Sequence, residues 1–302
     1  MNLGKFDLLL IESLKKDSRV SVRTLAKALN CSRRTVASHI QKLEKGVILS
    51  YDMLWNPSLL GWDFCVTISL RVDPAKLLQI IQYLLGLEEV CAVNHITGRF
   101  DLIVYANFQN RNALDKFIID ELKVDGILSS YSRILLRQYY VGQKMPDEMK
   151  PETIGNIKTD DIDLEILRIL RADAKTSVGT IAKKLGLKSP TISSRISRLK
   201  KFGVIRGFTI TTDPDKMDIK VQAQIYLKVS PTNFKETLKR ISMLEGVTWM
   251  DETTGEYDLH LFVDLKDAES LRDFLRNKLG EISEIREFES QIVLDTHQKF
   301  LM

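Results

Sequence analysis

Apolar residues recur at helical spacing near the start of the chain, and the same pattern returns about 157 residues later. The spacing of three and four residues predicts one amphipathic helix over residues 6–16 and another over 162–171. The apolar positions are Phe6, Leu9, Leu10 and Leu14 in the first segment and Ile162, Ile166, Leu167, Ile169 and Leu170 in the second. Each half of the chain is therefore expected to begin with a helix.

Two further short helices are expected in each half. Ser21 is placed to cap the second helix, which breaks at residues 30–31 and, in the other copy, at 186–187. The third helix is predicted from Ser32 to about residue 45, and from Ser189 as the N-cap, with Pro190 at the first helical position, to about residue 201. Three short helices with a tight turn are typical of a winged-helix-like helix-turn-helix domain, so residues 47–53 and 204–211 are predicted as a wing or tether strand.

The larger part of each half alternates strands with helices. Strands are predicted over 64–72, 90–96, 102–108 and 129–140, with helices over 74–85 and 111–122. The second half gives the same order over 221–229, 233–243, 247–253, 257–265, 267–279 and 285–295. This order is βαββαβ, the ferredoxin-like plan, so the fold class is α+β. Apolar residues on the strands, Val66, Ile68 and Leu70 with Ile225, Leu227 and Val229, are expected on the sheet face that packs against another sheet.

Matching residues support a duplication of this pair of domains. Asp7 aligns with Asp163, Ser21 with Ser177, and the run 97–101 (TGRFD) with 254–258 (TGEYD). A repeat of this length is a duplicated domain pair rather than a solenoid unit. We predict helix-turn-helix domains over 1–50 and 161–207, ferredoxin-like domains over 51–142 and 208–302, and a polar linker over 143–160.

The small net charge of +4 conceals a segregation of charge. Residues 15–46 hold nine basic and two acidic residues, and 171–206 hold ten and one, while the remainder is acidic. Two basic stretches at equivalent positions predict a polyanion as partner. Three cysteines without C-x-x-C spacing and four scattered histidines give no support to a disulfide framework, a metal site or a cofactor. No apolar run is long enough for a membrane span and no signal peptide is evident, so we expect a cytoplasmic protein.

The arrangement resembles the Lrp/AsnC family of transcription regulators. The residues that carry the resemblance are 185–199 (LGLKSPTISSRISRL), followed by 203–205 (GVI), and 254–258 (TGEYD). The resemblance implies double-stranded DNA as partner and small effectors, often amino acids, bound between the ferredoxin-like domains. It also implies dimers or larger assemblies, so this chain is expected to act as an intrachain pseudo-dimer that self-associates further through its ferredoxin-like domains. The first half is the more diverged copy.

Candidate DNA-binding residues lie on the third helix of each half. If Val36, Ile40 and Leu43 face inward, the helical period of 100° per residue places the opposite face toward a DNA groove. In the second copy the inward residues are Ile192, Ile196 and Leu199. Arginine and glutamine suit base edges, whereas threonine and lysine suit phosphates. The predicted DNA-binding residues are Arg33, Arg34, Thr35, Ser38, Gln41, Lys42 and Lys45 in the first copy and Ser189, Thr191, Ser194, Arg195, Ser197, Arg198 and Lys201 in the second.

The repeated T-G-x-[FY]-D motif is the candidate effector site. Its glycines are expected to supply a positive φ in a turn between strands, and its aspartates could receive an effector's ammonium group or fix the loop that does. The predicted effector-binding residues are Thr97, Gly98, Asp101, Thr254, Gly255 and Asp258. A purely structural role for this turn remains the alternative.

Two other functions stay open from the sequence. Siroheme decarboxylases share this two-domain architecture, and His95 lies near the strand where those enzymes are expected to use histidine and arginine. An architectural protein that coats DNA without sequence preference is the third reading, and a ratio of specific to competitor affinity near one would favour it.

Overall fold

The computed structural model describes residues 3–62, 64–140 and 157–298 and divides into two compact units. Residues 3–60 with 157–218 form one unit, which we call the head unit. Residues 61–140 with 219–298 form the other, which we call the barrel unit. Each unit therefore takes one domain from each repeat of the sequence.

Both repeats contain the same elements in the same order. The first repeat contains α1 (Lys5–Lys16), α2 (Val22–Ala28), α3 (Arg33–Glu44), β1 (Ile48–Trp55), β2 (Phe64–Val72), α4 (Leu77–Gly86), β3 (Val90–Ile96), β4 (Leu102–Phe108), α5 (Arg111–Lys116) and β5 (Ile127–Tyr140). The second contains α6 (Asp161–Ala172), α7 (Val178–Leu185), α8 (Ser189–Lys201), β6 (Ile205–Thr212), β7 (Val221–Val229), α9 (Phe234–Ser242), β8 (Val247–Thr253), β9 (Leu259–Leu265), α10 (Ala268–Asp273) and β10 (Ile285–Gln298). A π-helical turn extends α5 over 117–121 and α10 over 274–279. The α+β fold predicted from periodicity is confirmed.

Serine side chains start three of the helices in the head unit. Ser21, Ser32 and Ser177 each accept a hydrogen bond from the backbone N–H three residues on. The prediction that Ser189 caps α8 is wrong, because Lys188 is the N-cap and Ser189 is already helical. Pro190 is tolerated in this first turn, where a backbone N–H has no partner within the helix.

Strands β1 and β6 pair with each other and join the two heads. They run antiparallel, with Ile48 opposite Thr212 and Trp55 opposite Ile205. Each strand also contacts the opposite head. The Ser18 N–H donates to the Phe208 carbonyl at 3.0 Å, and the Ala174 N–H donates to the Tyr51 carbonyl at 3.1 Å. Because each strand contacts the opposite head, β1 and β6 belong to the head unit. This unit ends at residues 60 and 218, whereas the sequence predicted domain boundaries at residues 50 and 207.

The barrel unit closes eight strands in the order β10-β3-β4-β2-β5-β8-β9-β7. The two joins between repeats are antiparallel: β10 pairs with β3 over Val293–Gln298, and β5 pairs with β8 over Leu135–Tyr140. Neither repeat closes the barrel by itself. The ferredoxin-like halves therefore share a continuous set of ladders as well as a core.

The faces of the sheets are the reverse of the prediction. Val66, Ile68 and Leu70 pack with Ile80, Leu84 and Phe117 of the helices, and Ile225 and Leu227 lie in the matching cluster of the second repeat. The faces that meet inside the barrel mix polar and apolar side chains, since Ile96, Phe100 and Ile103 form a buried cluster with Tyr226 and Tyr257. Thr67, Ser69, Gln224 and Tyr226 are all buried there. The apolar strand faces had to cover the helices, which left the alternate positions for the interior.

The predicted linker falls largely outside the described residues. From residue 157 the chain leads to Asp160, whose side chain caps α6. Within the described ranges, no helix has the length and apolar character needed to cross a membrane.

Candidate nucleic-acid interface

The third helix of each head presents a polar face, as predicted. In α3, Val36 and Leu43 are buried and Ile40 is partly buried, while in α8 Ile192, Ile196 and Leu199 are buried. The opposite positions are exposed. The exposed candidates are Arg33, Arg34, Ser38, Gln41, Lys42 and Lys45 on α3 and Ser189, Thr191, Ser194, Ser197, Arg198 and Lys201 on α8.

Two candidates are less available. Thr35 is partly buried, and its hydroxyl lies 2.8 Å from that of the capping Ser32. Arg195 is also partly buried, with its side chain 24% exposed. Both side chains have roles inside the head that the helical period alone could not show.

A buried aspartate anchors the third helix of the first head. Asp7, whose side chain is 4% exposed, contacts His39 Nδ1 at 2.6 Å and the Lys42 ammonium at 3.2 Å. It also accepts the Gly4 N–H at 3.2 Å. Burial alone would raise the pKa of Asp7, but the hydrogen bonds from His39, Gly4 and Lys42 outweigh it and lower that pKa. The Lys42 ammonium is thus paired with Asp7 inside the head. Because the Lys42 side chain is still 44% exposed, a phosphate could also reach it.

The second head repeats this contact with arginines. Asp163, whose side chain has no exposure, accepts from Arg195 at 2.9 Å and pairs with Arg198. Arg195 also binds Asp160 at 2.7 Å, and the hydrogen bonds to Asp160 and Asp163 raise the pKa of Arg195. The two arginines therefore fix α8 against the start of α6. The part of each guanidinium that stays exposed remains on the outer face of the helix.

An open groove of about 410 Å³ lies beside this ion-pair network. Its lining residues are Thr191, Ser194, Arg195 and Arg198. Hydroxyl groups and guanidinium groups on one helix face are the groups that bind phosphate oxygens in protein–DNA contacts. The groove is thus chemically suited to the DNA backbone.

In the barrel unit, the threonines of the T-G-x-[FY]-D motif join one repeat to the other. The Thr97 N–H donates to the Ile292 carbonyl and the Thr97 hydroxyl accepts the Ile292 N–H, both at 2.9 Å. Thr254 makes the same pair of bonds with Ile134, both at 3.0 Å. Each motif therefore holds the last strand of the opposite repeat.

The other residues of the motif have structural partners too. Gly98 and Gly255 adopt φ of 110° and 105°, which confirms the predicted positive φ. The Asp101 carboxylate accepts the Val72 N–H at 2.8 Å, and the Asp258 carboxylate accepts the Val229 N–H at 2.7 Å. These bonds give Asp101 and Asp258 a structural role in the loop. Binding of an effector at the same motif stays a prediction.

The sequence did not identify Asp7 and Asp163 as part of the interface. The available signal was their alignment with each other, since a carboxylate retained in an otherwise basic segment suggests a specific partner. His95 lies 3.9 Å from Asp295 and is partly exposed. Among residues 3–62, 64–140 and 157–298, no group of three potential ligands could hold a metal ion.

Comparison with protein families identifies both kinds of domain. The model of the Lrp/AsnC ligand binding domain matches residues 65–145 and again 222–300. The model of the AsnC-type helix-turn-helix domain matches residues 160–200. Residues 7–48 match a second model, which is described only as an HTH domain.

Known regulators are similar to about half of the chain. The HTH-type transcriptional regulator Ptr1 of Methanocaldococcus jannaschii is 36% identical over 137 residues, which are 45% of this chain and 93% of that protein. The HTH-type transcriptional regulator FL11 of Pyrococcus abyssi is 34% identical over 143 residues, which are 47% and 94%.

A solved structure matches the chain over nearly its whole length. The siroheme decarboxylase NirDL superimposes with a TM-score of 0.66 over 98% of this chain and 93% of its own, at 15% identity. That identity shows a shared fold and nothing about activity. Since the ligand-binding family model covers more than half of the sequence in two copies, the chain belongs to the Lrp/AsnC family.

Proposed function

We propose that the chain is a transcription regulator that binds specific sites in double-stranded DNA through α3 and α8. The observation that carries the proposal is the head unit itself, in which two helix-turn-helix domains are joined by the β1–β6 ladder and each exposes a polar face on its third helix. The similarity to HTH-type transcriptional regulators supports it. A single chain thus supplies the two reading heads that a dimer would supply.

The two reading faces differ, so we propose an asymmetric operator. Arg34, Ser38 and Gln41 on α3 occupy the positions of Pro190, Ser194 and Ser197 on α8. Identical heads favour palindromes, whereas unlike heads favour unlike half-sites. The predicted DNA contacts at the exposed residues of both helices form part of this proposal.

Selection of binding sites from random DNA tests the proposal. The selected site should have two different half-sites, and Arg34→Ala should cost about 1–3 kcal/mol at one base pair of one half-site. Arg111→Ala, which removes an exposed arginine of the barrel unit, is the matched control. A palindrome weakened equally on both sides by Arg34→Ala would show that two chains supply the heads.

The response to salt separates this function from weak surface binding. If each head neutralises several phosphates, raising salt from about 50 to 200 mM should weaken binding roughly 10³-fold or more. A flat response would refute DNA binding through the basic helices. Equal affinity for the selected site and for random competitor would instead favour an architectural protein.

The family resemblance adds three further proposals. An amino-acid-like effector modulates binding near the two T-G-x-[FY]-D loops, the barrel units self-associate further, and the protein acts in the cytoplasm. The chain is also proposed to have no decarboxylase activity. A spectral change of siroheme on incubation with the pure protein would contradict this last statement.

A further inference from the structure

A groove of about 460 Å³ lies on the outer surface of the barrel unit, where α10 and its π-helical extension pass over β10. The aromatic ring of Phe288 is 40% exposed there. The residues that line the groove are Ala268, Leu271, Arg272, Leu275, Arg276 and Phe288. An accessible aromatic ring with leucines and arginines beside it has the composition of the residues that dominate protein–protein interfaces. The groove therefore has the chemistry of a docking surface.

The equivalent surface of the first repeat carries different side chains. The strand registers place Ser130 of β5 at the position of Phe288. On the helices, Arg276 corresponds to Ile119, whose side chain is 53% exposed. The second repeat thus presents an open ring with an arginine beside it, whereas the first presents an exposed aliphatic side chain.

Charges are inverted at three equivalent positions of these two helical segments. The inverted pairs are Arg272 with Asp115, Asp273 with Lys116, and Lys278 with Glu121. Two α10 surfaces facing each other would bring arginines onto arginines. An α5 surface facing α10 instead brings opposite charges together, which favours the unlike pairing.

The charged groups at the groove have only weak contacts within their own helices. Arg272 Nη2 donates to Glu269 at 3.1 Å, and Arg111 Nε lies 3.7 Å from Asp115. All four side chains are more than half exposed. Because exposed ion pairs contribute little to stability, Arg272 and Asp115 remain available to a second partner.

The two helices lie on opposite outer faces of the barrel. Leu114 and Phe117 of the first repeat pack in one apolar cluster, and Leu271 and Phe274 of the second pack in another. Each cluster covers the outside of its own sheet, since the alternate strand positions face the interior. The α5 surface therefore cannot reach the groove of its own chain, and a matching surface has to come from another copy.

We propose that the groove between α10 and β10 binds the α5 surface of a second copy of this chain, with Ile119 against Phe288 and Leu275. The groove and the surface that fills it are then different parts of the chain, so the copies associate head to tail. Contacts of this kind form a closed ring when the rotation between copies closes and an open filament when it does not. The inference rests on the proposed self-association of the barrel units and assigns a surface and a direction to it.

Sedimentation velocity of the full chain at several concentrations, without DNA, tests the surface. The unaltered chain should form assemblies larger than a monomer. Phe288→Ser and Ile119→Arg, which each introduce the residue of the other repeat, should weaken association at least about tenfold. Leu294→Ser and Leu136→Arg, the matching changes at exposed leucines of β10 and β5 outside the groove, should leave it unchanged.

Mixing the two variants tests the direction of the contact. Phe288→Ser retains the α5 surface and Ile119→Arg retains the groove, so an equimolar mixture should form a dimer with one chain of each kind and nothing larger. Native mass spectrometry with one variant isotopically labelled identifies this dimer. A chain that carries both substitutions should stay monomeric alone and in either mixture.

Different results overturn different statements. A monomeric unaltered chain would refute the proposed self-association together with this surface. An assembly that both variants leave intact would refute the surface alone, and one that only Phe288→Ser dissociates would show that grooves pair with each other or take another occupant. If Phe288→Ser does not fold, Arg276→Asp at the exposed edge of the groove replaces it in both experiments. Loss of DNA binding would leave all these readouts unchanged.

Discussion

The two repeats have the same sequence of elements but different ionisable groups at equivalent positions. In the heads, His39 and Lys42 contact Asp7, whereas Arg195 and Arg198 contact Asp163. In the barrel, Arg133 stands where the second repeat has Gln291. Conversely, Asp251 and His260 of the second repeat stand where the first has Asn94 and Ile103.

The difference shows what a duplicated chain keeps and what it can change. Side chains that bind backbone are the same in both copies, as with Thr97 and Thr254 or Asp101 and Asp258. Ionisable groups that contact other side chains differ, as with His39 and Arg195 in the heads or Arg133 and Gln291 in the barrel. In a homodimer any such charge occurs twice, whereas in one duplicated chain it need occur only once.

Separated repeats give the strongest test of this comparison. A homodimer of residues 1–142 would bring two copies of Arg133 into one barrel, and one of residues 161–302 would bring two copies of Asp251. Because like charges in a buried site are costly, mixed halves should form the heterodimer at least about tenfold in preference. Native mass spectrometry of the mixture measures the ratio. A statistical distribution of the three dimers would contradict the prediction.

Removal of the buried aspartates compares the two heads directly. Asp163→Asn should lower the free energy of unfolding by about 3 kcal/mol and Asp7→Asn by about 2 kcal/mol, because Asp163 holds two arginines and is the more buried. Urea unfolding followed by helical circular dichroism reports both values. Asp161→Asn, an exposed change in the same turn, should stay within about 0.5 kcal/mol. Equal losses in both heads would mean that Arg195 and Arg198 stabilise the second head no more than His39 and Lys42 stabilise the first.

The lysines at the C-terminal ends of α3 and α8 should contribute equally to DNA affinity, whereas the other exposed residues of the two helices differ in chemistry. Lys45 and Lys201 are exposed and occupy equivalent positions. Lys45→Ala and Lys201→Ala should each weaken DNA binding about tenfold at low salt and lower the salt slope by about one. Lys228→Ala, on the barrel unit, serves as the control in the same titration. An effect from one lysine only would show that a single head engages the phosphates.

The buried histidine of the second repeat should make the barrel sensitive to acid. Burial lowers the pKa of His260 below its usual value of 6.5, so the unfolded chain binds protons more readily than the folded one. The contribution of neutral His260 to the free energy of unfolding is fully present above pH 6.5. Below that pH the free energy of unfolding decreases by about 1 kcal/mol per pH unit. His260→Gln should flatten this part of the curve, whereas His95→Gln, at a partly exposed position, should not. An unchanged slope in His260→Gln would assign the acid sensitivity to other groups.

Local signals in the sequence were sufficient for the elements and for the outward faces of α3 and α8. Helical spacing placed α1 and α6 within one residue at either end, and strands β2, β3 and β4 agree residue for residue. The cap of α8 was misplaced because serine is the common capping residue, whereas here Lys188 takes that position through its backbone conformation alone. Of the predicted site, the sequence could not show which cations are already paired, since Asp7 and His39 are 32 residues apart.

The duplicated α+β plan, the amphipathic helices and the positive φ at Gly98 and Gly255 could be predicted without a structure, because these depend on period and local backbone sterics. Long-range contacts were needed to show that β1 pairs with β6, that the barrel closes across both repeats, and that buried polar residues such as Thr67 and Gln224 share its interior with an apolar cluster. Alternation along a strand separates two faces without stating what each face meets. The surroundings of Arg133 follow from that closure, since Ser69 and Tyr226, which both contact it, lie 157 residues apart in the chain.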